Sequence, residues 1–125
     1  MIVAIGIDLI EIARIEAVFA RRGDRFRARM FTEGEISYCE ARASKFASYA
    51  ARFAAKEAAM KALGTGWAEG VGWTDIEVVS GTNGAPVLRL HGRALERMRE
   101  IGATKAHVSL THSGNLAMAE VLLEG

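Results

Sequence analysis

Residues 45–63 read KFASYAARFAAKEAAMKAL and predict the longest helix of the chain. The stretch is rich in alanine and contains neither glycine nor proline, and Gly64 supplies a residue suited to a helix C-terminus. Because alanine has little side-chain bulk, neighbouring elements can approach such a helix closely. The segment therefore indicates a central helix rather than an exposed one.

Shorter elements are predicted before this helix. Residues 1–8 form an apolar, β-branched run that an acid closes, which is typical of a short buried strand. Apolar side chains then recur at helical spacing over residues 12–19, and Gly23 ends that pattern. Thr32 and Glu35 have the spacing of a capping box, which opens a further helix that extends to about residue 43.

Strands dominate the chain after the central helix. A glycine-rich stretch over residues 64–72 predicts a loop, and Thr82-Asn83-Gly84 has the composition of a hairpin turn. The predicted segments are a strand over residues 75–80, its partner over 87–91, a helix over 94–101, and two strands over 107–111 and 116–123, which the turn 112–115 joins. The order is β-α-α-α-β-β-α-β-β, so we expect an α+β fold with a mostly antiparallel sheet packed against a long central helix.

Length and composition bound the class of protein. The 125 residues fit one domain, which we expect to span residues 1–125. Half of the residues are hydrophobic and 25% are charged, a balance that excludes a disordered or collagen-like chain. No apolar run approaches the roughly 20 residues that span a bilayer, no secretory signal is visible, and a single cysteine, Cys39, cannot form an internal disulfide. We therefore expect a cytoplasmic protein with no membrane partner.

Positive charge is concentrated in one segment. The net charge is +1, yet residues 14–29 contain six arginines and two acids, which gives this segment a local charge of +4 and leaves −3 elsewhere. Arg14 and Arg21 are seven residues apart and share one helix face. Such a face attracts an acidic partner, although a run of charge is more often an ordinary solvated helix surface.

Three groups of residues could carry chemistry. Asp8 closes the predicted first strand, where a rigid strand end would present its carboxylate to a cleft; an N-cap of the next helix is the ordinary alternative. Glu57 and Lys61 are four residues apart on the central helix, within a run of alanine that makes a fully solvated face less convincing. His112 stands beside serine and threonine hydroxyls at the last hairpin, where these groups could bind a phosphate or simply stabilise the turn.

The familiar nucleotide-binding loops are missing from the sequence. Neither a Walker loop nor a GxGxxG pattern follows a predicted strand, and no glycine elbow surrounds Ser113. A carboxylate such as Glu57 with cations nearby can instead hold a divalent ion while the cations neutralise its phosphate ligands, and Mg²⁺ commonly uses only one or two protein carboxylates. These patterns leave both the functional and the ordinary interpretations open.

Several short blocks, taken together and in order, resemble the holo-acyl-carrier-protein synthases, the small bacterial phosphopantetheinyl transferases. The blocks are Ile5–Glu11, Arg52–Ala58 with Lys61 and Gly64–Gly66, Asp75–Glu77, Asn83–Pro86 and Val108–His112. The resemblance runs from residue 2 to beyond residue 120, and the combined spacing is highly specific. It implies the 4′-phosphopantetheinyl transferase fold. The broad-range branch of the superfamily resembles two such units fused, so the length favours the short, carrier-specific type.

The resemblance implies a reaction and its residues. The expected activity is transfer of 4′-phosphopantetheine from coenzyme A to a serine of apo-acyl carrier protein, with release of adenosine 3′,5′-bisphosphate, in support of fatty acid biosynthesis. Asp8 and Glu57 are the implied Mg²⁺ ligands, and with Lys61 at the pyrophosphate they form the implied catalytic set. The residues implied to contact coenzyme A are Arg52, Lys61, Gly66, Asn83, Pro86, Thr111 and His112. The proton acceptor stays open between Glu57 and Asp8.

The resemblance also implies partners. Acyl carrier proteins are small and acidic, so the arginines gain a specific role, and those expected to dock the carrier are Arg14, Arg21, Arg25 and Arg29. Relatives resemble trimers with active sites between neighbouring subunits, so we expect a homotrimer. No nucleic-acid partner is expected.

Three other functions remain as alternatives. A non-catalytic module that binds an acidic partner through the arginine face would keep its function after Glu57→Ala and would not need Mg²⁺. A nucleic-acid-binding domain is permitted by the positive segment, although the isoelectric point near 8.0 is modest and no known nucleic-acid motif is present. A metal-dependent phosphohydrolase would release the bisphosphate from coenzyme A without any carrier protein.

Overall fold

The central helix of the computed structural model spans Lys45–Leu63, the bounds that the sequence predicts. The model describes residues 1–65 and 69–125. Gly64 follows the helix in the left-handed conformation (φ 73°), and its N–H donates to the carbonyl oxygens of Met60 and Lys61. Glycine adopts this conformation at little cost, which is why the helix ends here.

Nine helices and strands are present in the described residues, in the predicted order. They are β1 (Ile2–Glu11), α1 (Ile12–Met30), α2 (Glu33–Glu40), α3 (Lys45–Leu63), β2 (Ile76–Ser80), β3 (Pro86–Leu90), α4 (Gly92–Glu100), β4 (Lys105–Ser113) and β5 (Leu116–Glu124). A short 3-10 turn at Trp73–Asp75, which the sequence did not predict, precedes β2. The predicted α+β class and the order β-α-α-α-β-β-α-β-β are confirmed.

Two antiparallel sheets lie around α3. Three strands form one sheet in the order β1-β5-β4, and β2 pairs with β3 in the other. The side chains of β5 that face α3 are small or branched and almost fully buried: Ala117, Ala119, Val121 and Leu123. The alanines of α3 meet this face, so the helix and the three-stranded sheet form the core, as expected for a central helix.

Gly6 sets how closely β1 approaches α3. A Cβ atom at this position would overlap the backbone carbonyl oxygen of Ala58. The strand and the helix are therefore in backbone contact at Gly6, which only a residue without a side chain allows. Asp8, two residues further along the same face of β1, is brought close to α3 by this contact.

Helix α1 is bent at Gly23. This residue has φ 58° and ψ −138°, a conformation that is open essentially to glycine alone, and helical geometry resumes after it. The prediction that Gly23 ends the helical pattern is correct for the first segment, but a second helical segment follows up to Met30. The edge-to-face contact of Phe26 with Phe19 (ring centroids 5.4 Å apart) holds the two segments together.

Helix α2 ends at Glu40, before the predicted end near residue 43. Two further predicted boundaries are wrong, and both affect site residues. Strand β1 continues to Glu11 because pairing with β5 extends to Leu116, so Asp8 lies inside the strand opposite Ala119 and not at its end. Strand β4 likewise continues to Ser113, which places His112 inside it. The N-terminus of α1 is capped by Asn115, whose side-chain Oδ1 accepts the N–H of Ala13 at 3.0 Å. Asp8 is therefore not the N-cap that the ordinary interpretation required.

The outer face of β1 is apolar and exposed. Ile5, Ile7 and Leu9 of β1 each expose more than half of their surface. Across the sheet they stand opposite Leu122, Glu120 and Met118 of β5. Within the described part of the chain, none of the helices combines the length and the hydropathy needed to cross a bilayer.

Candidate active site

Asp8 and Lys61 meet where β1 passes α3. Positions 6, 8 and 10 of β1 face the helix, and the Asp8 side chain is only 17% exposed. The Lys61 Nζ donates to Asp8 Oδ1 at 3.0 Å and to the carbonyl oxygen of Ile7 at 2.9 Å. The ammonium is thus held directly above the carboxylate at the edge of the sheet.

Glu57 lies one helical turn before Lys61 and is half-buried. Burial raises the pKa of its carboxyl group, the negative charge of Asp8 raises this pKa further, and Lys61 partly opposes the shift. Two carboxylates and one ammonium therefore act on one another electrostatically. An open cavity of about 450 Å³ adjoins Asp8 and Lys61, and its other lining residues are Ile7, Leu9 and Met118.

The donor set fits a magnesium ion. Two carboxylates whose like charges disfavour each other's ionisation are stabilised by a divalent cation, and Mg²⁺ typically takes one or two protein carboxylates with other oxygens from water and phosphate. The described residues contain no group of three or more acidic, histidine or cysteine side chains that could form an all-protein metal cage. The arrangement suits a metal that is completed by a phosphate ligand.

Arg52 lies in a second cavity, of about 220 Å³. The residue is 5% exposed, yet among residues 1–65 and 69–125 its guanidinium has no hydrogen-bond or ion-pair partner, and its buried Nε is unsatisfied. A buried cation without an acceptor is costly. Thr111 and His112 line the same cavity, so the site offers a cation, an imidazole and a hydroxyl to an anion.

The remaining residues implied to contact coenzyme A are distributed unevenly. Pro86 lines the Arg52 cavity. Asn83 is not among the residues that line it; its side-chain Oδ1 accepts the N–H of Ala85 at 3.1 Å within the β2–β3 turn. Gly66 lies outside the described residues. Asn83 therefore shapes the turn that presents its neighbours to the cavity.

The two cavities are separate within one chain. Among the described residues they share no lining residue, and Arg52 and Lys61 are nine positions apart on α3, a rise of about 13.5 Å. The structure therefore contains two half-sites, which we call the carboxylate half-site (Asp8, Glu57, Lys61) and the arginine half-site (Arg52, Thr111, His112).

Three of the four arginines predicted to bind a partner line one depression. The bend at Gly23 folds the two segments of α1 toward each other, and between them lies a cavity of about 340 Å³ lined by Arg21, Arg22, Arg25, Phe26 and Arg29. We call this group the arginine patch. Arg14 is exposed but stands apart, about 10 Å before Arg21 along the helix.

Comparison with known proteins gives the family. A model of the 4′-phosphopantetheinyl transferase superfamily matches residues 4–119. The chain belongs to this superfamily. A holo-[acyl-carrier-protein] synthase from Solibacter usitatus is 51% identical over 124 residues, which cover 99% of this chain and 99% of the relative. The resemblance found in the sequence is confirmed.

Solved structures of the superfamily share the fold. The holo-[acyl-carrier-protein] synthase of Helicobacter pylori, in complex with coenzyme A, has a TM-score of 0.84 at 32% identity and covers 96% of this chain and 99% of its own. The holo-(acyl-carrier-protein) synthase of Bacillus anthracis, in complex with CoA (3′,5′-ADP), has a TM-score of 0.80 at 38% identity and covers 99% and 97%.

Sequence reasoning missed one buried charge next to the site of this transferase-family chain. Lys56 is fully buried, and its Nζ donates to Glu35 Oε1 at 2.8 Å, to the Trp73 carbonyl oxygen at 3.0 Å and to the Ile76 carbonyl oxygen. Burial lowers the pKa of Lys56, and the Glu35 carboxylate opposes that shift. Lys56 therefore ties α3 to α2 and β2 one residue before Glu57.

Proposed function

We propose that this chain transfers 4′-phosphopantetheine from coenzyme A to a serine hydroxyl of apo-acyl carrier protein, and that the product serves fatty acid biosynthesis. The observation that carries the proposal is the convergence of Asp8, Glu57 and Lys61 beside an open cavity, in a chain that belongs to the transferase superfamily. The serine oxygen forms a bond to the β-phosphorus. The bond from that phosphorus to the bridging oxygen breaks, and adenosine 3′,5′-bisphosphate leaves with the bridging oxygen.

The carboxylate half-site supplies positioning and charge. Asp8 and Glu57 would hold Mg²⁺, which when bound supplies positive charge to the pyrophosphate. Lys61, already 3.0 Å from Asp8, would offset the negative charge that develops on the departing phosphate. The serine proton needs an acceptor whose pKa is not too low, and the raised pKa of Glu57 makes it the first candidate, with Asp8 second.

The arginine half-site would bind the phosphate of coenzyme A that does not react. Coenzyme A carries phosphate at two separate places, the pyrophosphate and the ribose 3′ position. Because the reacting pyrophosphate belongs with the carboxylate half-site, the guanidinium of Arg52, which has no partner in the described residues, is assigned with Thr111 and His112 to the 3′-phosphate. Asn83, Pro86 and Gly66 would lie along the nucleotide.

The arginine patch, together with Arg14 earlier on the same helix, would dock the acidic carrier protein. Charge reversal at Arg14 or Arg21 should raise the KM for the carrier protein sharply while the KM for coenzyme A stays unchanged. Equal losses for both substrates would contradict this docking site. Because these side chains are exposed, carrier binding should also weaken as salt rises.

A homotrimer would bring the two half-sites together between subunits. The support is the exposed apolar face of β1, where Ile5, Ile7 and Leu9 lie beside the cavity of the carboxylate half-site. In a homotrimer, neighbouring copies of the chain would pack on this face and remove its apolar side chains from water. Light scattering at working concentration tests the assembly, and a monomeric mass would contradict it.

The reducing cytoplasm, where the buried free thiol of Cys39 stays reduced, is the proposed location.

One experiment separates the proposed function from its alternatives. The protein is mixed with coenzyme A, Mg²⁺ and apo-acyl carrier protein, and the carrier is weighed by mass spectrometry. We expect a gain of one phosphopantetheine that disappears with chelator and with Asp8→Asn. Bisphosphate release without carrier would indicate a phosphohydrolase instead, and carrier binding without any mass gain would indicate a non-catalytic module.

A further inference from the structure

The Tyr38 ring is flanked by two guanidinium groups. The Cζ atom of Arg52 lies 4.0 Å from the ring centroid, and the Cζ atom of Arg42 lies 4.2 Å from it. Two guanidinium planes cannot share one face of a ring at these distances, so they lie on opposite faces. Tyr38 comes from α2 and Arg52 from α3, and the tyrosine also lines the cavity of the arginine half-site.

The contact with Tyr38 matters because little else fixes the Arg52 head group. The guanidinium has no hydrogen-bond or ion-pair partner in residues 1–65 and 69–125. An arginine side chain has several rotatable bonds, so ordering it costs conformational entropy. A π face that attracts the cation restricts these rotamers before a ligand arrives.

We propose that Tyr38 is a positioning residue for the reaction: its ring holds the Arg52 guanidinium ready for the 3′-phosphate of coenzyme A. This inference rests on the proposed function, which assigns that phosphate to Arg52. The ring acts through its face, and the hydroxyl group is not required. The chain then discriminates coenzyme A from dephospho-coenzyme A partly through a residue that need not touch the phosphate itself.

Removal of the ring face should weaken one substrate selectively. In Tyr38→Met, which keeps an apolar side chain of similar length, the KM for coenzyme A should rise about five- to tenfold, the range of a partly desolvated cation–π contact. The kcat, and the KM for dephospho-coenzyme A, should change less than about twofold. Tyr38→Phe keeps the ring face and should match the wild type, which also makes it the control for folding.

A double-mutant cycle tests whether Tyr38 acts through Arg52. In an Arg52→Ala background, Tyr38→Met should cause no further rise in the KM for coenzyme A. A rise of the same size in both backgrounds would overturn the proposal. So would an equal loss with dephospho-coenzyme A, or a loss in Tyr38→Phe as large as in Tyr38→Met. Arg42→Ala removes one positive charge from the other face, and a loss there equal to that of Tyr38→Met would show a long-range charge effect instead.

Binding of adenosine 3′,5′-bisphosphate, measured by calorimetry, gives a readout that does not need turnover. Tyr38→Met should weaken this ligand by the same factor as coenzyme A and should leave adenosine 5′-monophosphate unaffected. If the wild type transfers nothing to the carrier protein, the proposed function fails while this titration still tests Tyr38. If transfer occurs and Tyr38→Met binds the bisphosphate as the wild type does, only the role of Tyr38 fails.

Discussion

Replacement of Lys56 by methionine removes the cation from a fully buried ion pair. Its Nζ has three acceptors, Glu35 Oε1 and the backbone carbonyl oxygens of Trp73 and Ile76, so each of its N–H groups is used. Glu35 in turn accepts the backbone N–H groups of Thr32 and Val78, both at 2.9 Å. The substitution leaves a buried carboxylate with two amide donors and no cation.

The cost follows from these contacts. Loss of one partner of a buried ion pair costs about 3–5 kcal/mol, and methionine fills most of the vacated volume, so little is added for a cavity. We therefore expect the free energy of unfolding to fall by about 3–4 kcal/mol in Lys56→Met. A chain of 125 residues has an unfolding entropy of about 0.26 kcal/mol/K, so each kcal/mol shifts the Tm by about 4 °C. The Tm should fall by about 12–16 °C.

Denaturant titration and thermal unfolding, at one protein concentration, measure the effect. Lys45→Met is the matched control, because Lys45 lies on the same helix and pairs with Glu40 at 3.5 Å in an exposed position. An exposed pair contributes less than about 1 kcal/mol. If Lys56→Met were no more destabilising than Lys45→Met, the buried pair would not hold α3 as argued. A cycle with Glu35→Gln should show a coupling energy of at least about 1 kcal/mol.

Three further substitutions, the first with Gly34→Ala as its control, test the backbone and the charges around the site. Gly6→Ala should destabilise the fold by about 2–3 kcal/mol in denaturant titrations. The control Gly34→Ala, which has room for the methyl group, should stabilise α2 by about 0.5–1 kcal/mol. If Gly6→Ala left the stability unchanged, the backbone contact of β1 with α3 would be contradicted. Glu57→Gln should raise the Tm in metal-free buffer near neutral pH, because a carboxyl group with a raised folded pKa loses stability as pH rises through that pKa. That gain should shrink as pH falls toward the ordinary pKa of glutamate, and a gain that grows instead would refute the raised pKa. Gly23→Ala should raise the KM for acyl carrier protein several-fold, since alanine disfavours the bend, and an unchanged KM in steady-state kinetics would show that the bend does not shape the docking site.

The parts of the fold that the sequence predicts are those with local causes. The bounds of α3 follow from its composition and from Gly64, and the capping box at Thr32 and Glu35 forms as expected. The ends of the strands depend instead on pairing with strands that are distant in the sequence. Strand β1 runs past Asp8 because β5 offers paired residues as far as Leu116, about a hundred positions later in the chain. No local pattern contains that information.

The site residues likewise divide into those that the sequence indicates and those that only the packed structure reveals. The resemblance pointed to Asp8, Glu57 and Lys61, and the structure brings their charges together. Tyr38 gave no signal in the sequence, because its link to Arg52 exists only after α2 packs on α3. Glu35 was recognised for its local capping role, whereas its ion pair with Lys56 joins segments 21 residues apart.

Each of the two half-sites contains a charged group that destabilises the ligand-free fold. Burial and the charge of Asp8 both disfavour the ionised form of Glu57, and the buried Arg52 has no acceptor in the described residues. Each feature disfavours the ligand-free protein, and under the proposed function each would be relieved by a ligand of opposite charge, a cation at Glu57 and a phosphate at Arg52. Because the carbonyl contacts of Lys56 and the backbone contact at Gly6 fix α3 independently of these groups, the unneutralised charges stay in place without ligands. Binding then needs little reorganisation, which is the condition for electrostatic stabilisation of a transferring phosphate.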